Sequence, residues 1–416
     1  MKKFFAILLV LVLTVTCFAG CSPKQDDGSA LGNALNQLSQ FGDAAGLKME
    51  MNMSATVSFD DAVLSDASLN QLLGEKAAAL LPLLSLFVKD DKTAELAISA
   101  QSVSNKEGDT QALVTIGKGE NALTCTSIAA DGDVFVDMKT IYNWAGNLLA
   151  PAMGGEKLPV WPYQNAYVSL QDLMLVMQGG ERIETGGAVA ASMAYPNTEM
   201  VQPGAGVSQI AGLNPEMLEA VVKGLKEAIP EQTLAELVSL VETALKEAGM
   251  LTVKDGFVTI TVSGNNIEAL PDALAEAAEG KLGSIIDRVV AGIRNSDNEI
   301  IASMIPASEE INGKEMEDEF IAAMQGAKDD FKEAAQEMKK MNLNVTMGIK
   351  AGKKSAEYRI SAGLRIEDES GIAGNVSLNL TSKIETTKDV SVRAPGNVMT
   401  ETELSDFLSV FTQNMG

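Results

Sequence analysis

Hydrophobic and polar residues alternate along several stretches of this chain, and a period of two is typical of a half-buried β-strand. The longest stretch is residues 47–59, in which Met49, Met51 and Met53 begin an apolar row with polar residues between them. Short turn-forming segments separate most of these stretches, so we expect neighbouring strands to pair as antiparallel hairpins. Further strands are predicted at residues 95–103, 110–116, 122–129, 134–138, 166–170 and 256–263.

The last quarter of the chain has an equally clear alternation. Val345 and Met347 lie in the apolar row of a predicted strand at residues 343–349, and two more strands follow at 358–366 and 376–380. The linking segments "AGKKS" and "EDESG" predict that these three strands form an antiparallel meander. A short strand at 390–393 and a helix at 400–411 complete the chain, and Thr400 and Glu403 have the spacing of a capping box.

Helical periodicity occupies the remaining long segments. Helices are predicted at residues 68–88, 214–229 and 231–248, and a long helical stretch runs from 267 to 341. Apolar residues within that stretch recur three and four positions apart, which is typical of helices that pack against a core. Strands with one apolar face together with amphipathic helices predict an α+β fold, in which a curved antiparallel sheet packs against the helices.

The first twenty residues have the pattern of an export signal. Lys2 and Lys3 precede an unbroken apolar run at residues 4–15, which is too short to span a bilayer comfortably. After it, residues 21–46 are small and polar and predict a flexible tether with a short helix at 31–41. We expect an N-terminal β-rich half at 47–178, a Gly-rich linker or lid at 179–212, and a C-terminal half at 213–416.

Residues Phe18-Ala19-Gly20-Cys21 resemble the lipobox of bacterial lipoproteins, although Phe18 replaces the usual Leu. The resemblance implies that Cys21 is diacylated and becomes the first residue of the mature chain, while Cys17 is removed with the signal. Two acyl chains anchor a protein stably to a membrane. The expected location is therefore the extracytoplasmic face of the cell membrane; the alternative is a plain secretory signal that is cut nearby.

Composition excludes several classes of function. The net charge of −24 repels nucleic-acid phosphates, and the absence of histidine excludes His-dependent catalysis and His-ligated zinc. The acidic segment at 309–320 lacks the spacing of a calcium-binding loop and is predicted to be a solvated helix start. Cys125 is predicted to be a buried small hydrophobe in a strand. We therefore predict no enzymatic activity, no cofactor and no metal site.

The acylated tether, the antiparallel meander and the Met-rich apolar rows together resemble the LolA-like and LppX/LprG-like lipoproteins. This resemblance implies a half-barrel sheet closed by helices around a cavity that binds a lipid or another apolar ligand. Met49, Met51, Met53, Val345 and Met347 are the candidate ligand-binding residues, since flexible thioethers line apolar binding surfaces well. The alternative is a structural or protein-interaction lipoprotein with a solid core and no ligand.

Overall fold

The fold is described from a computed structural model of the chain. The residues that it describes are 29–39, 41, 44–61, 64, 87–149, 159–178, 224–225, 227–306, 308, 310–367, 373–388 and 390–415. The predicted signal, Cys21, the predicted linker or lid at 179–212 and nearly all of the predicted helix at 68–88 lie outside these residues.

Eleven strands form one open antiparallel sheet, in the order β6-β5-β4-β3-β2-β1-β11-β10-β9-β8-β7. Together with the helices this confirms the α+β class. The strands are β1 (Gly46–Phe59), β2 (Thr93–Asn105), β3 (Thr110–Ile116), β4 (Leu123–Ala130), β5 (Asp133–Asp137), β6 (Tyr167–Ser169), β7 (Leu251–Lys254), β8 (Phe257–Ser263), β9 (Asn344–Ala351), β10 (Ser355–Glu367) and β11 (Ala373–Thr387).

Helices come before, between and after these strands. They are α1 (Ala30–Ser39), α2 (Met138–Leu149), α3 (Leu170–Gln178), α4 (Glu231–Glu247), α5 (Leu270–Ala278), α6 (Leu282–Arg294), α7 (Glu299–Ala302), α8 (Gly313–Gly326), α9 (Lys328–Lys340) and α10 (Glu401–Met415). The stretch predicted as helical from 267 to 341 is thus divided into several helices. No described helix has the length and apolar character needed to cross a membrane.

Two compact units divide the chain, and neither follows the predicted N-terminal and C-terminal halves. Unit 1 comprises Met1–Gly42 and Glu199–Ala362, and unit 2 comprises Asp43–Thr198 and Gly363–Gly416. The reason is strand pairing: β11 pairs with β1 along the whole length of β1. The C-terminal segment therefore belongs to the same unit as the N-terminal strands.

The core of unit 1 is built mainly from helices. Apolar residues of α4, α5, α6 and α8 are buried against one another, including Leu237, Ala277, Ile286 and Phe320. Helix α1 also belongs to this unit, because Ala34 is buried together with residues of β7 and β8. The predicted short helix is thus confirmed, and residues 30–39 are a packed part of unit 1 rather than a flexible tether.

In unit 2 the C-terminal helix packs around an aromatic cluster. Trp161, Val168, Met399 and Leu404 are buried together, with aromatic side chains of α2 and α10 beside them. The predicted capping box is confirmed: the Thr400 backbone N–H donates to Glu403 Oε2 at 3.0 Å, and the Glu403 N–H donates to Thr400 Oγ1 at 3.3 Å.

The strand predicted at 390–393 is wrong. Residues 390–393 pair with no described strand, and Val392 is buried against Ile128, Ala130 and Phe135 of β4 and β5. Its alternating pattern therefore arises from the burial of Val392 between two exposed neighbours and not from strand pairing. An apolar residue at every second position has the same appearance in sequence whether or not the backbone pairs.

Candidate functional site

The central strands of unit 2 carry all their charged side chains on one face of the sheet. We name the other face of β1–β4 and β11 the uncharged face. The strand registers place on it every second residue of β1 from Leu47 to Phe59, of β2 from Ala94 to Ser104, of β3 from Thr110 to Ile116, of β4 from Leu123 to Ala129 and of β11 from Gly374 to Thr386. Met49, Met51 and Met53 are thereby brought together in one row of β1.

Along β1, β2 and β11 the opposite face is polar. It carries the five charged residues of these strands, two pairs of which form salt bridges along their own strands, Lys48–Glu50 at 2.9 Å and Lys383–Glu385 at 2.7 Å. The hydrogen bond from Lys48 lowers the pKa of Glu50, and the same contact raises the pKa of Lys48. One face of these three strands therefore carries all of their charged side chains, and the other face carries none.

Ser102 and Leu123 on the uncharged face are buried, at 7% and 8% exposed, and the other side chains of this face are half-buried. All seven positions of β1 on this face are half-buried, and none of the buried hydrophobic clusters among the described residues includes a side chain of β1, β2, β3 or β11. By contrast, Val258 of β8 lies under α1 and is 7% exposed. Neighbouring strands alone leave an apolar row half-exposed, and a second layer is needed to bury it fully.

Val345 and Met347 lie apart from this row, because they belong to β9 in unit 1. Their cross-strand partners on β8 are Val262 and Ile260. Val262 packs against the helical core of unit 1, whereas Met347 is 47% exposed. The five candidate ligand-binding residues thus fall into two sets, one in each unit, and their role in binding stays a prediction.

Cys125 is a half-buried free thiol on the uncharged face, opposite Val114 of β3. Burial, with a smaller contribution from the charge of Asp137, raises the pKa of this thiol. A raised pKa disfavours the thiolate, which is the form that acts as a nucleophile or metal ligand. Cys125 extends the apolar surface beside the methionine row.

Two buried carboxylates were not identified from the sequence, and both are fully engaged in holding the fold together. Glu317 of α8 is 1% exposed and accepts from the backbone N–H groups of Gly280 and Gly283 at 3.1 and 2.8 Å and from Lys314 Nζ at 2.7 Å. The prediction that segment 309–320 is solvated is therefore wrong at Glu317. Glu242 of α4 binds the start of α1 in a similar way. Neither carboxylate is available to a ligand.

A cleft of about 410 Å³ with a mixed polar and apolar lining lies in unit 1 beside Arg288 and the end of α6. The Arg288 side chain already has protein partners, because its Nε donates to Thr233 Oγ1 at 3.2 Å and its guanidinium pairs with Glu236. Within the described ranges no cluster of Cys, Asp or Glu is arranged to hold a metal ion. The uncharged face is therefore the stronger candidate for a binding site.

Comparison of the chain with models of protein families, with curated proteins and with solved structures finds no match. Its function is therefore inferred from the chain's own features, which are an apolar sheet face without charge, an opposite face that holds every charged residue of the same strands, and the predicted N-terminal signal.

Proposed function

We propose that this protein is a non-enzymatic lipoprotein of the extracytoplasmic membrane surface, tethered through a diacylated Cys21, which binds an apolar or amphiphilic ligand. The observation that carries the proposal is the uncharged face of unit 2, with its contiguous apolar surface and its half-buried methionine row. Ligand-binding sites are typically lined by contiguous apolar side chains with a few polar groups.

Burial of apolar surface supplies the affinity in this proposal. Each Å² of apolar area removed from water stabilises a complex by about 25 cal/mol before the cost of association is subtracted. Met49, Met51 and Met53 provide side chains that adapt to ligands of different shape. We further propose that β1–β4 and β11 curve around the ligand as a half-barrel.

The anchor would keep the folded body close to the membrane. Only seven residues lie between Cys21 and Ser29, where the described structure begins. A segment of this length extends at most about 28 Å. The proposed anchor would therefore hold the start of unit 1 near the bilayer, which supports a role at the membrane surface.

Native mass spectrometry of the detergent-extracted, full-length protein tests the ligand. We expect a co-purifying lipid that Met51→Asp removes, because the substitution places a charge in the centre of the uncharged face. Asn52→Asp is the matched control, since Asn52 lies next in β1 on the opposite face, and it should retain the lipid. If wild-type protein carries no lipid and binds none after delipidation, the alternative of a structural lipoprotein with a solid core replaces the proposal.

Metabolic labelling with radioactive palmitate tests the anchor separately. Wild-type protein should incorporate label and its processing should be blocked by globomycin, whereas Cys21→Ala should do neither. Cys125→Ala is the matched control and should be labelled like wild type. A wild-type protein that is exported without label would show that the signal is an ordinary secretory one.

A further inference from the structure

Polar and apolar side chains are not mixed along the uncharged face but are separated along the strand direction. All six of its hydroxyl groups lie in the three cross-strand rows that pass through Leu47, Met49 and Met51 of β1. We name this the hydroxyl end; its members are Ser102, Ser104, Thr110, Ser127, Ser382 and Thr386.

The remainder of the face has no polar side chain. From Met53 to Phe59, the residues of β1 and their partners on the neighbouring strands are all aliphatic, aromatic, Met, Ala or Gly. We name this the aliphatic end. The distance along β1 from Met53 to Phe59 is about 20 Å at the rise of a β-strand. This is in the range of a fully extended long-chain acyl group.

We propose that the ligand is an uncharged amphiphile, whose hydroxyl-bearing headgroup lies at the hydroxyl end and whose acyl chain runs along β1 towards Phe59. The inference rests on the proposed function and specifies its ligand class. Ser and Thr hydroxyls both donate and accept hydrogen bonds, so they match the hydroxyls of an acylglycerol or a glycolipid headgroup. Ser104 and Thr110 already form such a pair, with their oxygens 2.9 Å apart.

The absence of charge on this face argues against anionic lipids. A phosphate or carboxylate headgroup that leaves water needs a cationic partner or several donors. The lysines of β1 and β11, Lys48 and Lys383, lie on the opposite face and pair there with Glu50 and Glu385. The net charge of −24 adds a general repulsion of anions. Among the described residues of this face a charged headgroup finds no cationic partner, so the face favours a neutral headgroup.

Titration of delipidated full-length protein with three ligands of identical acyl chain tests the selectivity. Monopalmitoylglycerol is neutral, whereas palmitate and palmitoyl lysophosphatidate are anionic. We expect the neutral ligand to bind at least about tenfold more tightly than either anion. Equal or tighter binding of the anions would overturn this inference but leave the proposed function standing. Failure of all three to bind, with no co-purifying lipid, would overturn the proposed function itself.

Two double variants test the role of the hydroxyls. Ser104→Ala with Ser382→Ala removes two half-buried hydroxyls from the hydroxyl end, and we expect the preference for monopalmitoylglycerol over palmitate to fall about fivefold. Ser99→Ala with Ser377→Ala is the matched control, because these serines lie on the opposite face of the same two strands. Equal effects of both pairs on the preference would overturn the headgroup assignment. Circular dichroism checks that each variant is folded.

Paramagnetic broadening of methyl NMR signals tests the orientation. A nitroxide at the far end of the acyl chain of a monoacylglycerol should broaden the methyl signals of Val57 more than that of Met49. A nitroxide near the ester should have the opposite effect, since Met49 lies in a row of the hydroxyl end. The reverse order, or equal broadening, would overturn the proposed direction of the chain.

Discussion

The Glu242 carboxylate accepts a hydrogen bond of 2.6 Å from the hydroxyl of Ser29, a residue 213 positions earlier in the chain. The same carboxylate accepts from the backbone N–H of Leu31 at 3.0 Å, and the Ser29 hydroxyl in turn accepts from the N–H of Gly32 at 2.9 Å. The first turn of α1 is thus fixed to the buried face of α4. Unpaired N–H groups at a helix start favour a nearby negative charge, which explains why a carboxylate is buried there.

Replacing Glu242 should release α1 from unit 1. We expect Glu242→Ala to lower the free energy of unfolding by about 1–3 kcal/mol, because it leaves buried donors without an acceptor. Hydrogen exchange of the amides of α1 should increase most. Glu247→Ala in the same helix is the matched control, since Glu247 is exposed, and it should change the free energy by less than about 0.5 kcal/mol. Equal exchange of α1 in both variants would contradict this role of Glu242.

The contribution of Glu242 should depend on pH. Burial alone raises its pKa, but hydrogen bonds from Lys246, Ser29 and the start of α1 outweigh burial and hold the pKa below its ordinary value of 4.5. A carboxyl whose pKa is lower in the folded state stabilises the fold fully above its unfolded pKa and loses that contribution as the pH falls through the folded value.

The measurement is the difference in free energy of unfolding between wild type and Glu242→Gln. This difference should be constant near neutral pH and should shrink progressively below about pH 4.5. Other carboxyls titrate in the same range, but they are common to both proteins and cancel in the difference. A difference that grows on acidification would mean that the fold raises the pKa of Glu242 instead of lowering it.

The strands were predictable because their signal is local. The alternation in residues 47–59 and 110–116 identified β1 and β3 with almost the observed bounds. The pairing of β1 with β11 was not predictable, because it joins segments more than three hundred residues apart and no local pattern encodes it. Helix α2 was missed because it follows β5 directly, where Asp137 accepts from the Thr140 N–H at 3.0 Å and from its hydroxyl at 2.7 Å.

The residues of the candidate site also divide into those that one strand reveals and those that depend on strand pairing. The methionine row of β1 is visible in one strand, so Met49, Met51 and Met53 were identified from the sequence. The hydroxyl end combines residues of four other strands, such as Ser102 and Ser382, and it is recognisable only once the register is known. A serine in an alternating strand otherwise resembles any solvated polar position. Glu242 was missed for a related reason, since nothing in α4 indicates that Ser29 will pack against it.

A glycine in α6 marks a close approach between chain segments that should not tolerate a side chain. A Cβ added at Gly292 would lie 2.2 Å from the backbone oxygen of Ala228. We expect Gly292→Ala to destabilise unit 1 by about 1–3 kcal/mol or more, because the clash is with backbone and cannot be relieved by a rotamer change. Chemical denaturation followed by far-ultraviolet circular dichroism measures the loss.

Gly326 at the end of α8 is the matched control for Gly292. No atom lies within 4 Å of a Cβ added there. Gly326→Ala should therefore leave stability unchanged or raise it by up to about 1 kcal/mol through its better helix propensity. If the two substitutions had the same effect, the added methyl group at Gly292 would not clash with Ala228, and α6 would not pack as closely against it as the structure indicates.

Glu403 should control the environment of Trp161 in unit 2. Glu403 Oε2 accepts from Asn165 Nδ2 at 2.8 Å, and the backbone oxygen of Asn165 accepts from Trp161 Nε1 at 2.9 Å. The same carboxylate caps α10 at Thr400. Glu403→Ala should therefore lower the free energy of unfolding by about 1–2 kcal/mol and also loosen the packing of the aromatic rings around Trp161.

The fluorescence of Trp161 measures that loosening in a Trp144→Phe background, which leaves one tryptophan in the chain. Trp161 is buried, with the ring centroids of Tyr142 and Tyr163 at 5.3 and 5.2 Å, so access of water should shift its emission to longer wavelength. Glu401→Ala is the matched control: Glu401 is exposed in the first turn of the same helix and should lose only a dipole interaction of about 0.3–1 kcal/mol. An emission shift of equal size in both variants would place the effect in the stability of α10 as a whole, whereas a shift confined to Glu403→Ala supports the specific connection through Asn165.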